Sequence, residues 1–297
     1  SEEILATGKK LKSGKDDLRS VLDDQFHKTL LALPITGILV FTVIPILFMI
    51  LVAFTNYDGA HDGYSNLFTW VGLSNFNELI SSSSADANLS YTFGEILSWT
   101  LMWAFFATFT NYFLGMLVAI LKKGIHFKKL WRGILVLTIA VPQFISLLYV
   151  SKLFDTNGVV NAMLLKLGFI DQAIHFWENT TSARILVIVI NIWVGIPYLM
   201  LVSTGILMNI PQDLYESSKI DGASVWQQYM KITLPYMLFV TGPYLLTQFI
   251  GNINNFNVIY LLTSGRPASP DLITSGGSAT TTDLLITWLF NITTGVS

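Results

Sequence analysis

The stretch that decides the fold is IPQDLYESSKIDGASVWQQYMKITLP, residues 210–235, a charged segment between two long apolar runs. Pro211 suits the first position of a helix, because the N–H that proline lacks would have no partner there. Gly222 can adopt the left-handed conformation in which many helices end. Ser224 and Gln227 have the spacing of a capping box, which starts a new helix. We therefore predict two short helices joined by a turn.

The chain around this stretch is too apolar for a typical water-soluble protein. Of its 297 residues, 52% are hydrophobic and only 12% are charged, whereas an average soluble domain is about 25% charged. The mean hydropathy is +0.57. A net charge of −2 argues against a nucleic-acid partner. The absence of cysteine excludes disulfides and thiolate metal sites.

Five uncharged runs are long enough to cross a bilayer, which takes about 20 helical residues. Backbone groups in lipid must be hydrogen-bonded internally, so we expect all five runs to be helices of an all-α membrane bundle. The runs are 29–55, 96–121, 133–151, 185–211 and 232–265. The third contains Pro142, and the fifth is over-long and contains Pro243 and Gly251, so we expect it to be kinked or tilted.

Basic residues predict the orientation, because they favour cytoplasmic loops. Residues 1–28 contain six of them and residues 122–132 contain five, whereas residues 56–95 contain none. We therefore place the N-terminal segment 1–28 in the cytoplasm. Counting spans then places the loop 209–235 on the same side, where ATP is.

Several kinds of chemistry are absent from the sequence. There is no G-x-x-x-x-G-K-[ST] motif, so the chain does not bind ATP through a P-loop. H-E-x-x-H and G-x-S-x-G motifs are also absent, and we expect neither enzymatic activity nor a cofactor. No charged residue lies inside a predicted span, which disfavours a carrier driven by protons or sodium ions. A stand-alone carrier or a structural membrane subunit remains an alternative.

Carboxamide side chains recur inside the predicted spans. Gln248, Asn252 and Asn255 have the i, i+4, i+7 spacing of one helix face. Helical rise places Gln143, Asn191 and Asn255 roughly 9–14 Å below the outer boundary of the membrane. Carboxamides both donate and accept hydrogen bonds, as sugar hydroxyls require. The alternative is that they only bond one helix to another.

The charged stretch resembles the EAA loop of ATP-binding-cassette importer permeases, the cytoplasmic element that docks into the ATPase subunit. The family pattern is EAA, then DGA, then I-x-L-P, and the last part lies here at 232–235. The resemblance implies that the coupling residues are Glu216, Ser217, Ser218, Asp221, Gly222 and Ala223. Serines replace the two alanines and keep these positions small. The alternative is an ordinary amphipathic loop.

Three further stretches, 140–146, 191–198 and 252–256, resemble the maltose/maltodextrin importer permeases of the MalF type. The resemblance implies that the substrate-binding residues are Gln143, Asn191, Val194, Gly195, Asn252 and Asn255. Gly195 and Gly251 would leave room for a sugar ring against the backbone. The final span of that family is missing after Ser297, so we expect the sequence to be cut there and assign 29–297 to the permease domain.

The resemblance also implies a function and its partners. The expected function is that of a multi-pass permease subunit in the bacterial inner (plasma) membrane, importing maltodextrin-like oligosaccharides by alternating access. The expected partners are a second, homologous permease subunit, two ATPase subunits, an extracytoplasmic sugar-binding protein and membrane lipid. ATP hydrolysis would occur on the ATPase subunits. The alternative substrate is another sugar or a glycerol-phosphate-like solute.

Overall fold

Uncharged runs form the long helices of this protein, which divides into two compact units. The computed structural model describes residues 26–57, 69–81, 87–121, 130, 133–134, 137, 139–263, 265–274 and 277–294. One unit ends at Ile80 and the other begins at Ser81. The predicted cytoplasmic segment up to residue 25 and the basic loop 122–129 lie outside the described residues. The orientation of the chain therefore stays a prediction.

The first unit contains one long apolar helix with a π-helical turn in its middle. Its elements are α1 (Phe26–Ile38), a π turn (Leu39–Val43), α2 (Ile44–Val52) and α3 (Ser74–Ile80). The π turn lies just before Pro45, which has no N–H to bond the carbonyl of Phe41, four residues earlier. The helix therefore accommodates Pro45 through a π turn and continues beyond it.

The second unit is a helical bundle with one small β-hairpin. Its elements are α4 (Ala87–Phe105), a π turn (Phe106–Thr110), α5 (Asn111–Leu121), α6 (Gln143–Leu153), α7 (Val159–Lys166), α8 (Thr180–Leu207), α9 (Gln212–Ile220), α10 (Val225–Gln228), a π turn (Tyr229–Thr233), α11 (Leu234–Ile253), α12 (Phe256–Thr263), β1 (Ala268–Thr274), β2 (Gly277–Thr280) and α13 (Leu285–Thr294). Helices α5 and α8 make the most extensive contact with each other. A Cβ on Gly115 of α5 would lie 2.6 Å from Cβ of Leu199 of α8, so glycine at this position permits the two helices to approach closely.

Three of the predicted spans are confirmed as helices long and apolar enough to cross a membrane. They comprise Leu30–Val52, Leu89–Leu121 and Thr180–Leu207. The third predicted span is interrupted at Val141-Pro142, just before α6. Only part of that span lies within the described residues.

The fifth predicted span divides into two helices after Ile253. Helix α11 continues through Pro243 and Gly251 and ends at Ile253, so neither residue interrupts the helix, and the expected kink or tilt stays a prediction. The side-chain oxygen of Asn255 accepts the backbone N–H of Val258 and begins α12. Asparagine side chains favour such caps over continuing a helix.

The charged stretch folds as two short helices and a turn, as its local signals predicted. Gly222 has a φ of +78°, and the reciprocal bonds of the capping box join Ser224 to Gln227. Pro211 does not occupy the first helical position, because α9 begins one residue later, at Gln212. The local geometry is therefore confirmed, apart from one residue at the helix start.

The all-α expectation did not include the hairpin. Strands β1 and β2 pair antiparallel, and β1 packs against α4. Arg184 of α8 links α4 to the segment that follows β2. Its Nη2 lies 2.8 Å from Oε1 of Glu95, and its Nε donates to the carbonyl of Thr281 at 2.8 Å. Asp283 is buried in this segment, and its burial raises the pKa of the carboxyl group above the usual value.

Candidate functional site: a polar cavity in the bundle

A cavity of about 710 Å³ lies within the second unit, a volume typical of small-molecule sites, which span about 300–1,000 Å³. Its walls come from the π turn at Phe106–Thr110, from α5, α6, α8 and α11, and from residues 139–142. The cavity brings together all the residues that the family resemblance implied for substrate binding: Gln143, Asn191, Val194, Gly195, Asn252 and Asn255. Residues far apart in the sequence thus meet in one place.

The interruption before α6 positions Gln143. Pro142 has extended backbone (φ −55°, ψ 128°), so the helix begins at Gln143, and this residue stands at its first position. The carboxamide of Gln143 makes no hydrogen bond to another described residue, and neither do those of Asn191 and Gln248 on the cavity wall. These three groups are available to a ligand.

Asn252 and Asn255 are paired with each other instead. Nδ2 of Asn255 donates to Oδ1 of Asn252 at 3.2 Å, and Nδ2 of Asn252 donates to Oγ1 of Thr108 at 3.0 Å. Because α11 ends at Ile253, Asn255 does not lie on one helix face with Gln248 and Asn252, and that prediction is wrong. All three nevertheless line the cavity.

Asn111 was not singled out from the sequence, yet it shapes the α5–α8 wall. Its Nδ2 donates to the carbonyl of Ala107 at 2.9 Å and to the backbone carbonyl of Asn191 at 3.4 Å. A Cβ on Gly195 would lie 2.7–2.8 Å from the atoms of this carboxamide. Gly195 therefore makes room for Asn111, and the expected space for a sugar ring at this glycine is already occupied. Gly251 has open space beside its Cα.

Aromatic side chains form the apolar part of the lining. Trp193, Tyr198 and Tyr244 line the cavity, and the hydroxyl of Tyr112 lies 2.8 Å from Oγ1 of Thr241. Val194 also packs against the neighbouring hydrophobic core. Among the described lining residues there is no Asp, Glu, Lys, Arg or His. The described lining is therefore polar and aromatic but uncharged.

The charged stretch forms a second surface of interest. Nε2 of Gln228 donates to Oγ of Ser218 at 2.9 Å, and the hydroxyl of Tyr215 lies 2.8 Å from Oγ1 of Thr233. These bonds hold α9 against α10 and the π turn that follows. The exposed side chains on this surface include both charged and large apolar groups, namely Glu216, Lys219, Ile220, Asp221, Val225 and Trp226.

Comparison with known proteins identifies the family. The family of binding-protein-dependent transport system inner membrane components matches residues 111–295. The chain belongs to this family. The match covers the cavity walls contributed by α5, α6, α8 and α11, as well as the charged stretch. The expected resemblance to ATP-binding-cassette importer permeases is therefore confirmed.

Curated relatives extend the match over most of the chain. MalC, a maltodextrin transport system permease protein of Streptococcus pneumoniae, is 37% identical over 95% of this chain and 65% of its own length. GanP, a galactooligosaccharides transport system permease protein of Bacillus subtilis, is 38% identical over 96% and 66%. MdxF, a maltodextrin transport system permease protein of the same species, is 35% identical over 98% and 67%. The chain thus spans about two thirds of the length of these family members.

Solved structures agree with the family on the fold. A bacterial ABC transporter that imports the acidic polysaccharide alginate has a chain that matches with a TM-score of 0.65 and 21% identity. The match covers 94% of this chain and 88% of that one. At this level of identity, the likeness shows that the two chains share the membrane-permease fold.

Proposed function

We propose that this chain is a permease subunit of an ATP-driven importer of neutral, maltodextrin-like oligosaccharides. The observation that carries the proposal is the uncharged cavity of about 710 Å³, where the six residues implied by the family resemblance meet. The chain would form half of the translocation pathway. Rocking of the bundle would open the cavity first to one side of the membrane and then to the other.

The chemistry of the lining supports a neutral carbohydrate as substrate. Free carboxamides on Gln143, Asn191 and Gln248 can both donate to and accept from sugar hydroxyls. The aromatic side chains offer flat apolar faces to the rings. An acidic polysaccharide or a glycerol phosphate would require cationic groups to offset its burial, and the described lining has none. This contrast favours the maltodextrin-like substrate over both anionic classes.

The charged stretch supports the proposed ATPase partners. We assign coupling to its exposed residues Glu216, Ser217, Asp221 and Gly222, to Ser218, which Gln228 holds in place, and to Ala223. Exposed charge and exposed apolar area together suit a protein interface. The complete importer would contain this chain, a second permease subunit, two ATPase subunits below and a sugar-binding protein above, with the N-terminus of this chain in the cytoplasm.

Solute-dependent ATP hydrolysis by the assembled importer tests the substrate. The complex is reconstituted with its binding protein, and ATPase activity is measured with maltotriose, a β-linked galactotriose and glycerol 3-phosphate. We expect stimulation by maltotriose. Stimulation by galactotriose alone would instead assign the substrate class named for the relative GanP, and stimulation by glycerol 3-phosphate alone would contradict a neutral cavity.

Asn255 provides the sharpest test of the site, because two of its roles can be separated. Serine at 255 keeps a helix cap for α12 but is too short to replace the bond to Asn252. We expect Asn255→Ser to reduce uptake of maltotriose about tenfold or more while the complex still assembles, because Asn252 loses the partner that orients its carboxamide at the cavity. Asn255→Ala should also lose about 1 kcal/mol of stability with the cap.

Asn254 is the matched control. It is exposed, lies next to Asn255 and is not among the residues that line the cavity. Asn254→Ser should therefore transport at the wild-type rate. Wild-type transport by Asn255→Ser, or loss of transport only through loss of assembly, would show that the asparagines join helices and that the sugar binds elsewhere.

A further inference from the structure

A chain of hydrogen bonds in the cavity wall begins at the first turn of α12. The backbone N–H of Val258 donates to Oδ1 of Asn255 at 3.3 Å. The oxygen and nitrogen of a carboxamide have nearly the same shape, but an N–H can only donate. The oxygen of Asn255 must therefore face Val258, and its nitrogen must face the other way.

The orientation of the Asn255 carboxamide fixes the direction of the next two hydrogen bonds. The nitrogen of Asn255 donates, so the atom of Asn252 that it meets at 3.2 Å must be the oxygen. Nδ2 of Asn252 then faces Oγ1 of Thr108 at 3.0 Å. A carboxamide nitrogen offers only hydrogens, so the hydroxyl of Thr108 accepts in this bond.

The hydroxyl proton of Thr108 is left without an acceptor among the described residues. Three other buried threonines of this bundle donate to the carbonyl four residues earlier, at 2.7 Å for Thr100, 2.7 Å for Thr241 and 2.9 Å for Thr263, whereas the buried hydroxyl of Thr92 has no partner among the described residues. Thr108 lies in the π turn, where the spacing of the backbone carbonyls differs. Its side chain is buried against the protein and borders the cavity.

We propose that Thr108 binds the substrate by donating this proton to a sugar oxygen. The inference rests on the proposed function and adds a binding residue on α4–α5 that the family resemblance did not imply. A buried hydroxyl proton is unfavourable without an acceptor, and a carbohydrate carries oxygens around its whole ring. A hydroxyl that already accepts from Asn252 is polarised, which strengthens the bond that it donates.

Equilibrium binding of radiolabelled maltotriose to the purified complex tests the proposal. Thr108→Val keeps the shape of the side chain and removes the hydroxyl, whereas Thr108→Ser keeps the hydroxyl. We expect Thr108→Val to raise the dissociation constant about threefold to tenfold, as for the loss of one hydrogen bond. Thr108→Ser should bind about as tightly as the wild type.

Thr263→Val is the matched control, because Thr263 is equally buried but is not among the residues that line the cavity. Its binding of maltotriose should be unchanged. Thr108→Ala is measured in parallel and also removes the hydroxyl, so it can replace Thr108→Val in the comparison if the valine variant fails to assemble. Alanine and serine variants of equal affinity would overturn the proposal.

Asn255→Ser separates this proposal from the function on which it rests. Normal binding by Thr108→Val together with lost binding by Asn255→Ser would mean that the sugar site is correct and that Thr108 takes no part in it. Normal binding by both variants would mean that the cavity is not the sugar site.

Discussion

Asn111 determines the role of the glycine that faces it. Its carboxamide lies where a Cβ of Gly195 would be, and its Oδ1 is buried without a hydrogen-bond partner among the described residues. Gly195 thus serves the packing of α5 on α8, whether or not a sugar also touches its backbone. No pattern in the sequence pointed to Asn111, because a single asparagine in an apolar helix has no periodic signature.

We expect Gly195→Ala to destabilise the protein by about 1–3 kcal/mol, the usual cost of overpacking. The added Cβ would lie 2.7 Å from Nδ2 of Asn111. The double variant with Asn111→Ala should recover most of the loss, because the clashing group is gone. Thermal unfolding of the purified complex measures both effects.

Gly205→Ala is the control for this pair. Gly205 lies in the same helix, and a Cβ there would meet nothing within 4 Å. Alanine should therefore leave stability unchanged or raise it by about 0.5–1 kcal/mol. An equal loss of stability at both glycines would show that Asn111 is not the cause.

Local sequence signals predicted some element boundaries and missed others. The capping box and the glycine turn of the charged stretch were predictable, because each depends on residues three or four positions apart. The end of α11 could not be predicted, because the proline and the glycine in its interior are stronger sequence signals for the end of a helix than Asn255 is. The hydrogen bond from the N–H of Val258 to Asn255 shows that a new helix begins there. The predicted polar stripe of Gln248, Asn252 and Asn255 assumed one continuous helix and is therefore wrong.

Gly222 is expected to matter through its backbone conformation. Its φ is +78° and a Cβ would meet no atom within 4 Å, so a side chain there causes strain without a clash. Gly222→Val should cost about 1–2 kcal/mol and weaken co-purification of the ATPase subunits, and Gly222→Asn should be milder.

Gly168 is the control for Gly222. It has a similar φ of +70° and also has open space around it, after the end of α7. Gly168→Val should reduce thermal stability to a similar extent and leave ATPase association unchanged. Equal loss of ATPase association in both valine variants would contradict a specific docking role for the charged stretch.

Asp283 gives the segment between β2 and α13 a defined response to pH. Burial raises the pKa of its carboxyl group above the ordinary value of 3.8, although the backbone N–H of Thr280 opposes the shift. The native state therefore binds this proton more tightly than the unfolded state. The resulting stabilisation is present below 3.8 and is lost as the pH rises through the native pKa.

Asp283→Asn stays neutral and should remove this dependence on pH. We expect the variant to be more stable than the wild type at about pH 8 and to have little advantage at about pH 4. The difference in melting temperature between the two proteins at each pH is the measurement. An advantage that appears only at the lower pH would contradict the direction of the pKa shift.

For the molecule as a whole, composition and charge predicted a multi-pass membrane protein, and the resemblance of the charged stretch predicted the permease family. The cavity could be predicted only in part. Gln143, Asn191, Val194, Gly195, Asn252 and Asn255 were found through the family resemblance. Thr108 and Asn111 depend on contacts between distant helices, which spacing along one helix does not reveal. The hairpin was also missed, because its residues form no alternating apolar pattern.

The topology can be tested directly, because the chain has no cysteine. Ser217 is exposed, whereas the hydroxyl of Ser218 is held by Gln228, so Ser217→Cys is the better probe of the charged stretch. In intact cells we expect a membrane-impermeant maleimide to label Ala60→Cys and not Ser217→Cys. In permeabilised cells that lack the ATPase subunits, both should be labelled, and the reverse pattern in intact cells would contradict a cytoplasmic N-terminus.

The π turn at Phe106–Thr110 amounts to one extra amino acid accommodated inside a helix. Unlike the turns before Pro45 and Pro235, it precedes no proline, and Asn111 bonds the carbonyl of Ala107 within it. Because the wide turn absorbs the extra residue locally, deleting one residue there would restore α-helical winding while α5 keeps the same face toward α8. In an alignment with relatives that lack this turn, the gap therefore belongs in the middle of the span. A gap placed in a neighbouring loop would shift every residue between that loop and the π turn out of register by one position.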